Sequence, residues 1–238
     1  MTKWSCIAIS ISLAATAAFG LPMLPSTDIS FLYEGYSWET DALGGYPPAG
    51  GAGQAGNVLN GIGEVLAVRD GTGSYTVYDP DDDGAEMTFN LYGLVSQGVV
   101  VKGPDLVRTD YVGGAFDIYL DYTPDYSPAT GPGTYSGVTD GTVVLACQVQ
   151  SFYTLYNTAL GIGSFAGAFQ VVGGEAASEL AGEVITWGGS SEAAVPEGWT
   201  YMHRIKGIAD GEIIPEPSTM AMLGAGLAAV AGLVRRRG

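Results

Sequence analysis

The sequence predicts an all-β fold, with a single β-sandwich-like domain of jelly-roll or Greek-key type. Glycine and tyrosine are abundant, with 37 and 14 residues among 238. They lie mostly in short alternating segments that Gly, Asp and Pro interrupt, which is typical of strands joined by turns. The alternation is clearest at residues 115–122, where Phe116, Ile118 and Leu120 share one face. Such a face is expected to point into the core.

The predicted elements follow the chain in order. A strong turn signal, Asp70-Gly71, separates two of the strands. Residues 41–56 and 124–137 are rich in Gly and Pro and predict exposed loops. The Ala-rich segment 175–183 is the one helix that we expect before the C-terminal tail. The predicted strands cover residues 28–38, 64–69, 74–78, 86–92, 97–102, 115–122, 142–150, 152–155, 164–172, 184–187 and 201–208.

The N-terminus has the composition of a secretory signal peptide. Lys3 precedes an uncharged apolar run at residues 4–18, and small residues follow at 15–20. We therefore expect residues 1–20 to direct export through the Sec translocon and to be removed by signal peptidase. Residues 21–211 then form the β-rich extracellular domain.

The exported chain is strongly acidic. Removal of the two ends leaves five basic residues against 25 acidic ones, a net charge near −20. This charge disfavours binding to nucleic acid and suits cations or a cation-bridged polymer. Cys147 is the one cysteine outside the signal peptide, so it has no disulfide partner in the chain, and it is expected to be buried.

The C-terminal residues 212–238 have three parts. Pro215, Glu216 and Pro217 form a stiff extended segment, residues 220–234 are uncharged, and residues 235–237 are arginines. The uncharged run predicts a transmembrane helix, although its length of about 22 Å is marginal. The basic cluster of Arg235, Arg236 and Arg237 predicts a stop-transfer signal on the cytoplasmic side. An ordinary tail anchor, or a helix that dimerises through small residues, is the alternative.

This three-part pattern resembles the PEP-CTERM sorting signal of exported bacterial proteins. The resemblance implies that exosortase, a membrane protease-transpeptidase, cuts the chain at or near Pro215-Glu216-Pro217. It also implies a Gram-negative host, transient anchoring in the inner membrane, and delivery to the cell surface or extracellular matrix. The residues that carry this resemblance make up about a tenth of the chain.

A second, diffuse similarity lies within the extracellular domain. The segments NGIGEVLAVRDGTGSYTVYDPDDDGAEMTFNLYG and GGAFDIYLDYTPDYS resemble PEP-CTERM proteins associated with exopolysaccharide and flocculation. The similarity implies a structural or adhesive role in exopolysaccharide, biofilm or floc formation. The alternative is a carbohydrate-binding surface module, in which Ca²⁺ could take part.

The acidic segment at residues 79–84 predicts a candidate calcium site. Asp79, Asp81 and Asp83 are two residues apart and Gly84 permits a sharp turn, so their carboxylates could surround an ion. A solvated acidic turn explains the same residues, because Asp and Gly also favour hairpin tips. Both interpretations stay open at this point.

Catalytic patterns are scarce. His203 is the only histidine and has no second histidine for a zinc site. Asp117, Asp121 and Asp125 could serve a hydrolase only with help from another strand, since residues four apart along a strand are ~13 Å apart. We therefore expect no enzyme. The aromatic residues Trp38 and Tyr122 are candidates for carbohydrate contact, with packing beneath loops as the alternative.

Overall fold

The computed structural model describes the central part of the chain. Residues 1–20, predicted as the signal peptide, and the predicted transmembrane helix at residues 220–234 lie outside the described residues. The described residues are 28–41, 43–46, 53–70, 72–73, 76–180, 184–193, 195–197 and 199–212.

Ten strands and two single helical turns make up the described domain. The strands are β1 (Asp28–Thr40), β2 (Val58–Asp70), β3 (Thr76–Tyr78), β4 (Glu86–Val101), β5 (Leu106–Val112), β6 (Ala115–Asp121), β7 (Thr142–Asn157), β8 (Ile162–Gly173), β9 (Val184–Glu192) and β10 (His203–Glu212). The turns are α1 (Pro80–Asp83) and α2 (Ala177–Leu180). An all-β domain was predicted correctly, but its architecture was not.

The strands close into an antiparallel barrel, so the predicted β-sandwich is wrong. Neighbouring strands of the cylinder are antiparallel: β2 pairs with β4 and with the short strand β3, β5 and β6 both lie between β4 and β7, and β7 to β10 pair in chain order. Strand β1 pairs with both β2 and the last strand, β10. Asp28 lies opposite Glu212, at the start of one strand and the end of the other. This pairing joins the first and last strands into one closed cylinder of eight strands. A sandwich would have left them as edges of two separate sheets.

Strands β5 and β6 are two halves of one barrel strand. Tyr111 pairs with Phe152 and Ala115 pairs with Gln148, which places both halves against β7 in the same register. The break falls at Gly113 and Gly114, whose φ angles are 68° and 86°. These are left-handed conformations, which glycine adopts at no steric cost. The prediction for this region recognised β6 and missed β5.

Aromatic side chains fill the barrel. The Trp187 ring lies 4.7 Å from Phe116, 5.0 Å from Tyr33 and 5.4 Å from Phe165, measured between ring centroids. An interior glycine makes room for these rings: a Cβ on Gly63 would lie 2.5 Å from the Phe89 ring. An eight-stranded barrel is just wide enough for side chains to fill. The interior is therefore a packed core, and Cys147, 1% exposed, is buried in it as predicted.

The connection between β6 and β7, residues 122–141, forms a strap along the outside of the barrel. Thr88 on β4 donates its hydroxyl hydrogen to the Val138 carbonyl over 2.7 Å, and Tyr201 donates to the Pro128 carbonyl over 2.6 Å. Beneath the strap lies a second hydrophobic cluster, distinct from the barrel core. Its buried members are Trp38, Ile62, Val138 and Tyr201, and Tyr36, Tyr126, Tyr135, Val195, Trp199 and Met202 pack against them.

Several element boundaries differ from the prediction. The predicted strands at 86–92 and 97–102 belong to one strand, β4, and those at 142–150 and 152–155 belong to β7. The helix expected at 175–183 is reduced, within the described residues, to the single turn α2. Residues 80–83, Pro80 and three aspartates that were expected in an acidic loop, form the helical turn α1. The prediction divided β4 and β7 into two strands each, because a bulge interrupts the alternation of side chains along both of them.

Candidate functional site

The processing segment begins just beyond the last strand of the barrel. β10 ends at Glu212, whose backbone is paired with Asp28. Pro215, Glu216, Pro217 and the basic residues Arg235, Arg236 and Arg237 lie outside the described residues. The two ends of the domain therefore leave the barrel side by side.

We use the name acidic rim for a group of exposed and half-buried carboxylates at this end of the barrel. Strands β1, β4, β7 and β9 begin at this end of the barrel, and strands β2, β6, β8 and β10 end there. The acidic residues lie at strand ends and on the connections between them, and their side chains are exposed or half-buried. The acidic rim comprises Asp28, Asp79, Asp81, Asp83, Asp121, Asp125, Asp140 and Glu175.

In the predicted calcium site, the carboxylates of Asp79 and Asp83 stabilise the turn α1. The Asp79 carboxylate accepts a hydrogen bond from the Asp81 backbone nitrogen over 3.1 Å and thereby caps the turn. The Asp83 carboxylate accepts one from the Asp79 nitrogen over 2.9 Å. Gly84 ends the turn with φ 63°, in the left-handed region. Thus at least two of the three carboxylates serve as local backbone caps.

A different set of three carboxylates comes together at the same rim. Single oxygens of Glu86, Asp121 and Asp125 lie within 4.8 Å of one another, the spacing of ligands around a metal ion. The Glu86 carboxylate also accepts hydrogen bonds from the backbone nitrogens of Asp125 and Tyr126, at 2.9 Å and 3.0 Å. Lost hydration, followed by repulsion from Asp140 and Asp121, raises the pKa of Asp125. This cluster differs from Asp79, Asp81 and Asp83, and only the fold assembles it.

The two aromatic residues predicted for carbohydrate contact lie in different environments. Trp38 is 7% exposed and packs beneath the strap, with its ring 5.7 Å from Tyr201 and 5.8 Å from Tyr135. Tyr122 is 45% exposed and lies at the start of the strap. Tyr46, at 55% exposure, donates a hydrogen bond to the Pro132 carbonyl. Tyr122 and Tyr46 therefore present more ring surface to solvent than Trp38 does.

The opposite end of the barrel holds a buried polar network that the sequence did not reveal. Glu39 is 3% exposed, and its carboxylate accepts hydrogen bonds from the Tyr111 hydroxyl, the Gly53 nitrogen and the Asn57 amide, at 2.7, 2.7 and 3.0 Å. Burial beside Glu39 raises the pKa of Tyr111 well above its usual value. The inward alternation of β1 was the available signal, since Glu39 follows Ile29, Phe31 and Tyr33 in that series.

His203 lies at this same end and makes a ring contact with Tyr156 at 5.0 Å. Desolvation lowers the pKa of His203, and the nearby Glu39 opposes that shift. Asp117, considered above for hydrolysis, lies on the outer face of β6, where the hydroxyls of Tyr92 and Tyr119 donate to it over 3.0 and 3.4 Å. Asp121 and Asp125 belong to the three-carboxylate cluster described above.

Comparison with known protein families finds a match at the C-terminus. Residues 214–237 match the PEP-CTERM protein-sorting motif. The motif indicates an exported protein that is anchored in a membrane and then processed by exosortase. No curated protein matches the chain. In the described part of residues 28–212, neither helical turn has the length or hydropathy of a membrane span.

Proposed function

We propose that the processed chain is a non-catalytic structural or adhesive component of an extracellular polysaccharide matrix, biofilm or floc. The single observation that carries this proposal is the PEP-CTERM motif, which sends the domain out of the cell. The packed barrel core supports a structural role, because aromatic side chains occupy the space where a ligand would otherwise bind. Delivery ends at the cell surface or in the matrix of a Gram-negative bacterium.

The surface charge supports this proposal. The exported chain has a net charge near −20, and carboxylates concentrate at the acidic rim. Divalent cations can bridge such a surface to an acidic polymer, since each cation has a high charge and prefers oxygen ligands. High net charge also keeps the protein soluble after it leaves the membrane.

The test compares cell settling in the native host. Wild-type cells, a strain in which this gene is deleted, and a strain without exosortase are allowed to settle under the same conditions. We expect wild-type cells to clump and both mutants to stay dispersed. Clumping of the deletion strain to the same extent as wild-type cells would overturn the matrix role.

The second candidate function is a carbohydrate-binding surface module, either dependent on Ca²⁺ or independent of it, and the exposure of Tyr122 favours it. Aromatic faces with nearby carboxylates are suited to sugar rings, and Asp121 immediately precedes Tyr122. Binding to a glycan array that Tyr122→Ala abolishes would support the module. Because Trp38 is buried, Trp38→Ala serves as the variant that reports on packing beneath the strap.

The calcium site at Asp79, Asp81 and Asp83 stays a prediction. Its test is the melting temperature of the purified domain with and without Ca²⁺. A rise that Asp81→Ala removes would support these ligands. A rise that Asp121→Asn removes instead would assign the ion to the three-carboxylate cluster.

A further inference from the structure

The folded barrel ends very close to the segment that exosortase processes. The last ladder pair is Asp28 with Glu212, and the matched motif begins at residue 214. Each residue spans at most roughly 3.6 Å, so Pro215 lies no more than about 11 Å from Glu212. This upper limit holds for any conformation of the intervening residues. A protein that binds the Pro-Glu-Pro segment must therefore approach the acidic rim.

The charge of that rim is one-sided. Eight carboxylates lie on it, whereas strand pairing places one described basic residue at this end, Arg69 opposite Ser30. The other described basic residues lie elsewhere: Arg108 is bonded to Asp110 over 2.6 Å and Arg204 to Glu34 over 2.9 Å. Lys102, in the connection between β4 and β5, is at the opposite end of the barrel. Two features therefore coincide at one rim: its negative charge and the exit of the processed tail.

We propose that the acidic rim is an interaction surface for the membrane enzyme that processes the tail, and that it fits a basic face of that enzyme. The inference rests on processing by exosortase. At physiological ionic strength charges act over ~8 Å, and the tail brings its partner to about this range. A partner of like charge would be repelled, whereas a basic face would be drawn to the rim and oriented there.

The experiment follows tail cleavage of the full chain in host membranes that contain exosortase. The rim variant carries Asp81→Asn, Asp140→Asn and Glu175→Gln, all exposed residues. The matched control carries Asp41→Asn, Asp105→Asn and Glu197→Gln, which removes the same charge at the opposite end. We expect about fivefold slower cleavage of the rim variant and cleavage of the control within about twofold of the parent. Equal or faster cleavage of the rim variant would overturn the proposal.

A spacer separates direct contact with the enzyme from other effects of charge. Ten Gly and Ser residues are inserted after Glu212, in the parent and in the rim variant. We expect both to be cleaved at the same rate, because the spacer moves the rim beyond the range of the enzyme. Slower cleavage of the rim variant despite the spacer would also overturn the proposal, since the charges would then act on export or on the membrane.

Two controls keep this test distinct from the proposed matrix role. Both triple variants should melt within about 2 °C of the parent, because the substituted residues other than Asp41 are exposed and change stability little. Asp41→Asn retains a side-chain oxygen that can accept from the Leu43 and Gly45 nitrogens. Absence of cleavage in the parent would refute processing itself and the rim proposal with it. A normally processed parent in cells that do not clump would refute the matrix role and leave the rim proposal standing.

Discussion

The exposed carboxylates of the acidic rim differ from the buried Glu39 at the opposite end of the barrel. At the acidic rim most of them face solvent, and those with backbone partners cap local turns, as Asp79 does for α1. At the opposite end Glu39 is buried and accepts hydrogen bonds from Tyr111, Gly53 and Asn57. Exposed charges contribute little to stability, whereas a buried one requires partners for each oxygen. Stability should therefore depend on buried carboxylates such as Glu39, and recognition on the exposed carboxylates of the acidic rim.

The largest expected effect is the removal of the Glu39 carboxylate. Glu39→Ala removes the acceptor that three buried donors share, and we expect a loss of about 3 kcal/mol in the free energy of unfolding. Urea denaturation measures it. Asp81→Asn at the acidic rim is the matched control, with an expected change within about 0.5 kcal/mol. Equal losses for the two variants would mean that the ends do not differ as the contacts indicate.

A smaller loss is expected when a single donor is removed. Tyr111→Phe keeps the ring, which contacts Phe152 at 5.8 Å, and deletes the hydroxyl that donates to Glu39. Two other donors to Glu39 remain, so we expect a loss of about 2 kcal/mol by urea denaturation. In a double-mutant cycle with Glu39→Ala, the two losses should not add. Additive losses would contradict a shared network.

At the end of the barrel that carries the acidic rim, Glu86 is a buried counterpart of Glu39. It is 9% exposed and accepts hydrogen bonds from two backbone nitrogens of the strap. Glu86→Gln retains one oxygen as acceptor, so we expect a loss of about 1 kcal/mol. Faster hydrogen exchange at the Asp125 and Tyr126 amides would accompany it. Unchanged exchange would show that the strap is held by other contacts.

The smallest effect is confined to acidic pH. The pKa of His203 is lower in the folded protein than in the unfolded chain, where it is about 6.5. At pH values above the unfolded pKa, His203 is neutral in both states and does not oppose folding. As the pH falls through that value and then the folded one, the unfolded chain binds the proton more readily and stability decreases. Unfolding measured from pH 8 to pH 5 should show this decrease in the parent and a weaker one in His203→Gln. Identical curves would exclude His203 as its source.

The sequence by itself determined the sorting tail and the β character of the domain. The tail depends on the order of residues along the chain, and residues 214–237 match a known sorting motif. Alternation also identified inward faces correctly, as at Phe116, Ile118 and Leu120, which are all buried. Both features are local, so one stretch of sequence contains all the information that they require.

Only the tertiary structure decided how the strands close and which carboxylates meet. The pairing of Asp28 with Glu212 joins the two ends of the domain, and alternation with period two is the same in a sandwich and a barrel. Glu86 meets Asp121 and Asp125 because β4 pairs with β6 and the strap folds back over it. Glu39 is buried because the network with Tyr111 and Asn57 forms around it. Each of these arrangements depends on strand partners far apart in the chain, which residue patterns within a single segment do not specify.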